Sequence, residues 1–227
     1  MIIRSLHPWN VSYKEAIRIQ NRLKKELVHG GAVSMPSTVA GLDVSISKNS
    51  QYGWAAVVVF SFPDLRQIEE NWAKGKIEFP YIPGLLSFRE IPLLIEALKG
   101  LSMEPDVFLC DGQGIAHPRR MGLASHLGLV IGKPTIGCAK TRLTGRHHEV
   151  GPDKGDYAFL TDKDEVIGAA LRTRSGVKPL FVSQGYGISL GSAISLVLTC
   201  CPRYRIPEPI RAAHRLVNHL RETQEVG

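Results

Sequence analysis

The chain has 227 residues, 44% of them hydrophobic, with a formal net charge of +7 and a sequence pI of about 9.3. Its apolar runs are shorter than the roughly 20 residues of a membrane-spanning helix, and no signal-peptide core follows the first residues. We therefore expect a cytoplasmic protein with no membrane partner, and the positive charge, which simple solubility would also explain, favours a polyanionic partner such as nucleic acid.

The hydrophobic pattern predicts a mixed α/β fold, with a central β-sheet flanked by helices. Three early strands suit a meander, and strands and helices alternate after them. No linker, repeat or shift in composition divides the chain, which predicts a single domain over residues 1–227. In chain order the predicted elements are a helix at 13–28, strands at 38–47, 53–62 and 67–77, a helix at 86–101, a strand at 106–110, a helix at 119–131, strands at 134–139, 157–162, 165–172 and 179–183, and helices at 189–200 and 208–223.

Two aspartates lie in apolar, strand-like runs. Asp43 lies inside the strand predicted at 38–47, and Asp111 directly follows the one predicted at 106–110. A carboxylate there is costly unless it is paired, hydrogen-bonded or bound to a metal ion. Either residue alone is also explained as a capping or turn aspartate, and Asp111 especially so because a glycine follows it.

A loop between the third strand and the next helix holds an aromatic residue between two prolines, in the order Pro80, Tyr81, Ile82 and Pro83. Proline fixes φ and removes a backbone donor, so this segment is neither a central strand nor a helix interior. We expect a stiff loop that holds Tyr81 in one place.

Glu90 is the third acidic candidate. On the helix predicted at 86–101 it falls among the leucines, whereas Arg89 and Glu96 lie on the opposite, polar side. A glutamate with a purely solvating role would lie with them. The alternative is that the helix begins at Pro92, which would make Glu90 an acid near the first turn, favoured by the helix dipole.

Three carboxylates gathered in one place would repel one another, so at least one would be protonated without a cation. Mg²⁺ or Mn²⁺ would relieve this repulsion, because both prefer carboxylate oxygen and water. Beside a phosphate, such an ion can position a water molecule and stabilise the departing oxygen. The acids therefore favour metal-assisted phosphodiester hydrolysis, with one metal ion or two.

Two basic side chains are candidates to assist this chemistry. Lys140 follows the strand predicted at 134–139, where it would neutralise charge on a phosphate or remain solvated. His214 lies on the inward face of the helix predicted at 208–223, where it would assist the metal site or be a hydrogen-bonded core residue.

At these residues the chain resembles endonuclease V, the repair nuclease that acts at deaminated purines. The resemblance covers residues 7–220 and implies an RNase H-like fold. It also implies Mg²⁺ or Mn²⁺ held around Asp43 and Asp111, Glu90 completing the acidic site, and His214 and Lys140 as auxiliary catalytic residues. Its specific segments are GLDVS at 41–45, PYIPGLLSFRE at 80–90, DGQGIAHPRRMGLASHLGL at 111–129, PTIGCAKTRL at 134–143 and RIPEPIRAAH at 205–214.

The resemblance also explains the proline-flanked tyrosine. It implies that residues 80–83 form a wedge and that Tyr81 fills the space left when the altered base rotates out of the duplex, since aromatic stacking offsets part of the unstacking cost. Cleavage is expected one nucleotide to the 3′ side of the lesion. The implied walls of the lesion pocket are Gly84, Leu86, Gly112 and Gly114, and further candidates for phosphate contacts are His117, Arg119, Arg120 and Arg142.

The sequence thus predicts a monomeric DNA repair endonuclease for deaminated bases, chiefly hypoxanthine. The alternatives are an endoribonuclease for inosine-containing RNA that uses the same site, a generic RNase H-like nuclease, and a lesion-binding protein without turnover. Tyr186 stands where relatives often carry histidine, so no role is transferred to it.

Overall fold

The computed structural model of the protein describes residues 1–28, 30 and 36–225, and its strands form one mixed sheet in the order β3-β2-β1-β4-β5-β8-β7-β6. The helices are α1 (Tyr13–Leu23), α2 (Leu86–Lys99), α3 (Leu123–Ile131), α4 (Leu190–Thr199) and α5 (Glu208–Gln224). The strands are β1 (Thr38–Ile46), β2 (Tyr52–Ser61), β3 (Gln67–Lys76), β4 (Val107–Cys110), β5 (Thr135–Ala139), β6 (Tyr157–Asp162), β7 (Glu165–Leu171) and β8 (Leu180–Tyr186).

These elements confirm the predicted mixed α/β architecture. The first three strands form an antiparallel meander, β1 pairs in parallel with β4 and β4 with β5, and the remaining pairings are antiparallel. Two predicted helices are shorter than expected. The first changes after Leu23 into a single 3-10 turn at Lys24–Glu26, and the third begins only at Leu123 because Arg120 has a φ of 58°, in the left-handed region.

Helices cover both faces of the sheet. One buried cluster joins β1, β4, β5, β7 and β8 to α4 and α5, and a second joins β1, β2 and β4 to α2 and α3. None of the helices in the described part of the chain combines the length and apolarity needed to cross a bilayer.

The parallel centre of the sheet brings three chain segments to one edge. Leu42 of β1 is in register with Cys110 of β4, which is in register with Gly137 of β5. Because the carboxyl ends of parallel strands meet at the same edge of a sheet, the residues that follow this row lie together. They include Asp43, Asp111 and Lys140.

Gly41 of β1 permits α5 to approach this edge closely. A Cβ added to Gly41 would lie 2.0 Å from the carbonyl carbon of Pro209 and 2.1 Å from its oxygen. Only glycine allows this approach of the two backbones. Helix α5 therefore begins directly against β1, and His214, on the same helix, reaches Asp43.

Candidate active site

The structure brings Asp43, Asp111 and His214 together at the carboxyl edge of the parallel strands. One potential metal-ligating atom from each residue lies within 4.8 Å of the other two. The side chains of Asp43 and Asp111 are largely buried, whereas that of His214 is 53% exposed. Two carboxylates and an imidazole are a donor set that suits a divalent cation.

Glu90 lies near this group but does not supply one of its three clustered donor atoms. Helix α2 begins at Leu86 and continues through Pro92, so Glu90 lies past the first turn and the alternative of an acid at a helix start is wrong. Its predicted role as a metal ligand stays a prediction.

The electrostatics of the site favour a bound cation. Burial raises the pKa of the Glu90 carboxyl to about 8, and the charges of Asp43 and Asp111 add to this effect. Burial also raises the pKa of Asp43, assisted by the charge of Asp111 and opposed by His214. A divalent cation among these carboxylates would offset the repulsion that keeps them from ionising together.

His214 belongs to a hydrogen-bonded chain of four side chains. Its Nδ1 lies 2.6 Å from Asp43 Oδ2, and its Nε2 lies 3.0 Å from Asn218 Nδ2. Ser45 Oγ donates to Asn218 Oδ1 at 3.1 Å, which orients the amide so that Nδ2 donates to His214 Nε2. His214 then carries its proton on Nδ1 and donates it to Asp43. The alternative of a buried core histidine is wrong, because the side chain is half exposed and bonded to the acidic site.

Lys140 is also held at the site rather than freely solvated. Its Nζ forms an ion pair with Asp111 Oδ2. Its backbone carbonyl accepts a hydrogen bond of 2.6 Å from Arg205 Nη2, which also donates to the Pro179 carbonyl at 2.8 Å. Arg205 thus ties the end of β5 to the segment that precedes β8.

The predicted wedge is exposed at its tip and anchored beside it. The Tyr81 side chain is 71% exposed, whereas Ile82 packs against the buried cluster that contains Phe79, Leu85 and Phe88. This arrangement matches a stiff loop that presents one aromatic ring.

A cavity of about 340 Å³ lies between this loop and the acids, and we call it the Tyr81 cavity. Its size is at the lower end of ligand pockets, which suits a single heterocycle. Gly84, Leu86 and Gly112, three of the four residues expected in a lesion pocket, lie in its wall. Gly114 lies outside the described lining: its backbone packs on β8, where an added Cβ would be 2.0 Å from the Gln184 carbonyl oxygen. The lining comprises residues 81–84, 86–87, 111–113, 117, 121–123 and 139–143.

Three donors converge on the Gly84 carbonyl, directly after the wedge. Gln20 Nε2 and His117 Nε2 lie 3.0 Å from this oxygen, and Arg119 Nη2 lies 2.8 Å from it. Gln20 also donates to the Met121 carbonyl at 3.0 Å and accepts from Arg119 Nε at 2.5 Å. Burial, which is the largest cause, lowers the pKa of His117 to about 4, so the ring is neutral at pH 7 and donates through Nε2–H.

These contacts correct three of the expected phosphate contacts. His117 and Arg119 direct their donors to the Gly84 carbonyl and thereby fix the wedge. Arg120 donates to Glu165 at 2.7 Å and to Asp162 at 2.9 Å, so it is paired within the protein. Arg142 is exposed and lines the Tyr81 cavity, and its contact with phosphate stays a prediction.

Several residues of the site were not expected from the sequence. Gln113, Met121, Thr141 and Leu143 line the Tyr81 cavity, and Gln113 Nε2 donates to the Thr141 carbonyl at 3.0 Å across it. The segments that carry the family resemblance contain all four: DGQGIAHPRRMG at 111–122 includes Gln113 and Met121, and PTIGCAKTRL at 134–143 includes Thr141 and Leu143. Tyr186 packs beside the cluster beneath the wedge.

Comparisons with known proteins agree with this geometry. The family model described as Endonuclease V matches residues 21–215. An endonuclease V from Trichormus variabilis is 49% identical over 220 residues, which cover 96% of this chain and 100% of the relative.

Two solved structures extend the comparison to the fold. The endonuclease V of Streptomyces avermitilis is 40% identical, with a TM-score of 0.91 over 98% of this chain and 99% of that one. The endonuclease V of Ciona intestinalis, in complex with a 24-mer DNA containing an inosine followed by a ribo-adenosine, is 31% identical, with a TM-score of 0.80 over 94% of this chain and 98% of that one. Structures of this family have the RNase H-like fold, which confirms the predicted fold class.

Proposed function

The chain belongs to the endonuclease V family and is a nuclease that recognises deaminated bases, and from this premise we propose that it hydrolyses a phosphodiester bond one nucleotide to the 3′ side of the altered base in DNA. The altered base is chiefly hypoxanthine, the reaction depends on Mg²⁺, and the protein acts as a monomer through a single domain.

One observation carries the proposal. The Tyr81 cavity, sized for one heterocycle, is lined by Asp111, a member of the acidic group at the sheet edge, and by Lys140, which is paired with Asp111. When a base is held in this cavity, the backbone of its strand therefore lies beside Asp43 and Asp111. A binding protein without turnover would not need carboxylates whose pKa values are raised by burial and, in addition, by the charges of neighbouring acids.

Asp43 and Asp111 would hold the ion, with Glu90 as the third acid. When bound, Mg²⁺ or Mn²⁺ supplies charge neutralisation at the phosphate and lowers the pKa of a bound water molecule. The fit rests on the oxygen-rich donor set and on the raised pKa values of Asp43 and Glu90, which a cation would lower.

The other side chains contribute positive charge and a positioned ring. Lys140, paired with Asp111, provides an ammonium group that can stabilise negative charge developing on the phosphate. His214 keeps one nitrogen on Asp43 and the other on Asn218, so it orients the Asp43 carboxylate. For His214 to receive a proton from water, the Asn218 contact at Nε2 must open.

The wedge provides access to the base. Tyr81 would stack in the space that the rotated base leaves, while Ile82 and the fixed Gly84 carbonyl hold the loop in place. A ring that is already positioned loses little entropy on insertion, so more of its stacking energy is available to offset unstacking.

Cleavage of inosine-containing RNA is the second candidate function. It is favoured by the Ciona intestinalis structure, whose DNA carries a ribo-adenosine directly after the inosine. The same acids, lysine and wedge would serve both substrates.

A strand-cleavage assay tests the proposal. Duplexes with one inosine, one uracil or only normal bases are incubated with the protein, with and without Mg²⁺, and the cut is mapped on a sequencing gel. We expect Mg²⁺-dependent nicking one nucleotide to the 3′ side of inosine and much less cutting of the normal duplex. Equal cutting of all duplexes would contradict lesion recognition, and faster cutting of a matched inosine RNA would establish the second candidate.

A further inference from the structure

A second concave site lies on the other side of the acids from the Tyr81 cavity. We call it the arginine cleft: it has a volume of about 180 Å³ and is lined by Lys140, Ile206, Ile210, Arg211, His214 and Arg215. Four of these six side chains carry basic nitrogen, so the cleft is built for an anion.

The cleft and the Tyr81 cavity are arranged around the acidic group. Lys140 lines both, Asp111 lines the Tyr81 cavity, and His214 lines the cleft. Since Asp111 is paired with Lys140 and Asp43 with His214, the reacting carboxylates lie between the two concavities. A strand whose base enters the Tyr81 cavity can therefore cross the acids and continue into the cleft.

Arg211, on the cleft wall, is held in place by two neighbours that lie outside the cleft lining. Its guanidinium carbon lies 3.5 Å from the centre of the Tyr204 ring, and its Nε lies 3.6 Å from Glu208 Oε2. That Nε is buried and has no hydrogen-bond partner among the described residues. Stacking on an aromatic ring orients a guanidinium while leaving its outer N–H groups available for an acceptor.

Arg215 lies one helical turn beyond Arg211 on α5 and is exposed. Within residues 36–225 and the described residues before them, no carboxylate is paired with its guanidinium. A free arginine one turn from a fixed arginine gives two donors on the same helix face. Phosphate oxygens are the acceptors that such guanidinium groups bind most strongly in nucleic acid.

The floor of the cleft is apolar. Ile210 is fully buried and Ile206 is partly buried against the same core cluster. An apolar floor under a cationic rim matches a nucleotide backbone, because the sugar ring presents carbon atoms and the phosphate presents anionic oxygens.

We propose that the arginine cleft binds the sugar and phosphate of the strand on the 3′ side of the scissile bond, with Arg211 and Arg215 contacting the first phosphate beyond it. This inference rests on the proposed function. It would explain why the cut lies one nucleotide to the 3′ side of the lesion: the lesion lies in one concavity, the strand beyond the cut lies in the other, and the acids lie between them.

The test uses inosine strands with different 3′ arms. One strand ends at the nucleotide directly beyond the expected cut, with no further phosphate, and the other extends four nucleotides further. For the long strand we expect Arg215→Gln to raise KM about 5- to 20-fold with little change in kcat, because a charged hydrogen bond to phosphate is lost. The slope of log KM against log salt should also fall by about 1. For the short strand the same variant should behave like the wild type.

Two controls separate binding at the cleft from general charge effects. Arg221→Gln lies on the same helix, removes the same charge and should leave both strands unaffected, while Arg215→Lys should restore part of the affinity. A long strand with a neutral methylphosphonate at the first phosphate beyond the cut should reproduce the Arg215→Gln effect in the wild type, and the two changes together should not add.

The outcomes distinguish this inference from the proposed function. A wild-type protein that does not cut the inosine strands contradicts the proposed function itself. If the wild type cuts but Arg215→Gln affects long and short strands equally, or no more than Arg221→Gln does, the cleft does not bind the 3′ arm.

Discussion

Replacement of Glu90 by glutamine should stabilise the metal-free protein at alkaline pH. Burial and the charges of Asp43 and Asp111 raise the pKa of Glu90 from 4.5 to about 8. The folded state therefore binds a proton that the unfolded state has already released between these two values. The wild type loses stability as pH rises through this window, whereas Glu90→Gln has no proton to lose there.

The size of the effect follows from the same values. The difference between 4.5 and about 8, at about 1.36 kcal/mol per pKa unit, sets an upper limit of about 5 kcal/mol above pH 8. Because the Glu90 side chain is partly exposed to water, screening reduces this limit, and we expect Glu90→Gln to be more stable than the wild type by roughly 2 kcal/mol at pH 8.5. At pH 4.5 the two proteins should differ little.

Urea unfolding in the presence of EDTA measures the difference in unfolding free energy between the wild type and Glu90→Gln at pH 4.5 and at pH 8.5. Glu96→Gln on the exposed face of the same helix is the matched control and should show no such dependence on pH. Adding Mg²⁺ at pH 8.5 should stabilise the wild type more than Glu90→Gln, since a ligand that binds only the folded state shifts the unfolding equilibrium. A Glu90→Gln protein that gains no stability between pH 4.5 and 8.5 would refute the argument that Glu90 is destabilised by burial beside two acids.

Three further predictions concern turnover and recognition. Asp43→Asn and Asp111→Asn should each nearly abolish Mg²⁺-dependent cutting while most binding of inosine DNA persists in a gel-shift assay; unchanged cutting would remove that aspartate from the mechanism. Tyr81→Ala should lower the ratio of kcat/KM for inosine duplex to that for normal duplex, and an unchanged ratio would contradict the wedge. Gln20→Met removes one of three donors to the Gly84 carbonyl and leaves other buried polar groups unpaired. It should therefore destabilise the protein by about 1–3 kcal/mol in urea unfolding and lower the ratio of kcat/KM for inosine duplex to that for normal duplex. A variant as stable and as selective as the wild type would contradict a positioning role.

The sequence was sufficient for the strands and for the acids because both depend on local pattern. Asp43 and Asp111 each stand in or after an apolar run, and parallel pairing brings such strand ends to one edge. Glu90 was recognised by its place among leucines, and the uninterrupted α2 supports that inference despite Pro92.

The partners of the basic residues could not be predicted, because they are remote in sequence. Arg119 pairs with Gln20 from α1, and Arg120 pairs with Asp162 and Glu165 around the β6–β7 turn. The local sequence of the basic cluster at 117–120 does not distinguish side chains that contact phosphate from side chains that contact a buried carbonyl. Only the tertiary contacts show that His117 and Arg119 hold the Gly84 carbonyl after the wedge, while Arg120 pairs with the β6–β7 turn.

The same limit applies to the chain from Ser45 through Asn218 to His214. Its members come from β1 and from α5, so no spacing in the sequence links them. Helical periodicity placed His214 on the face directed at the sheet, but it also predicted a buried environment. The ring is half exposed and contacts Asp43, which lies just past Leu42, the last residue of β1 that pairs with β4.

The site is built from two parts of the fold that meet at the ion pair of Asp111 with Lys140. The wedge, the Gly84 carbonyl and the Tyr81 cavity depend on α1, α2 and the loop after β4, whereas His214 and the arginine cleft depend on α5, on the opposite face of the sheet. Asp111 and Lys140, each directly after one of two adjacent parallel strands, join the two. Under the proposed function, recognition of the base and hydrolysis of the backbone are therefore set by separate elements a fixed distance apart. An enzyme built this way cuts at a constant offset from the lesion, because the sheet, and not the flexible substrate, determines the separation between the base and the bond.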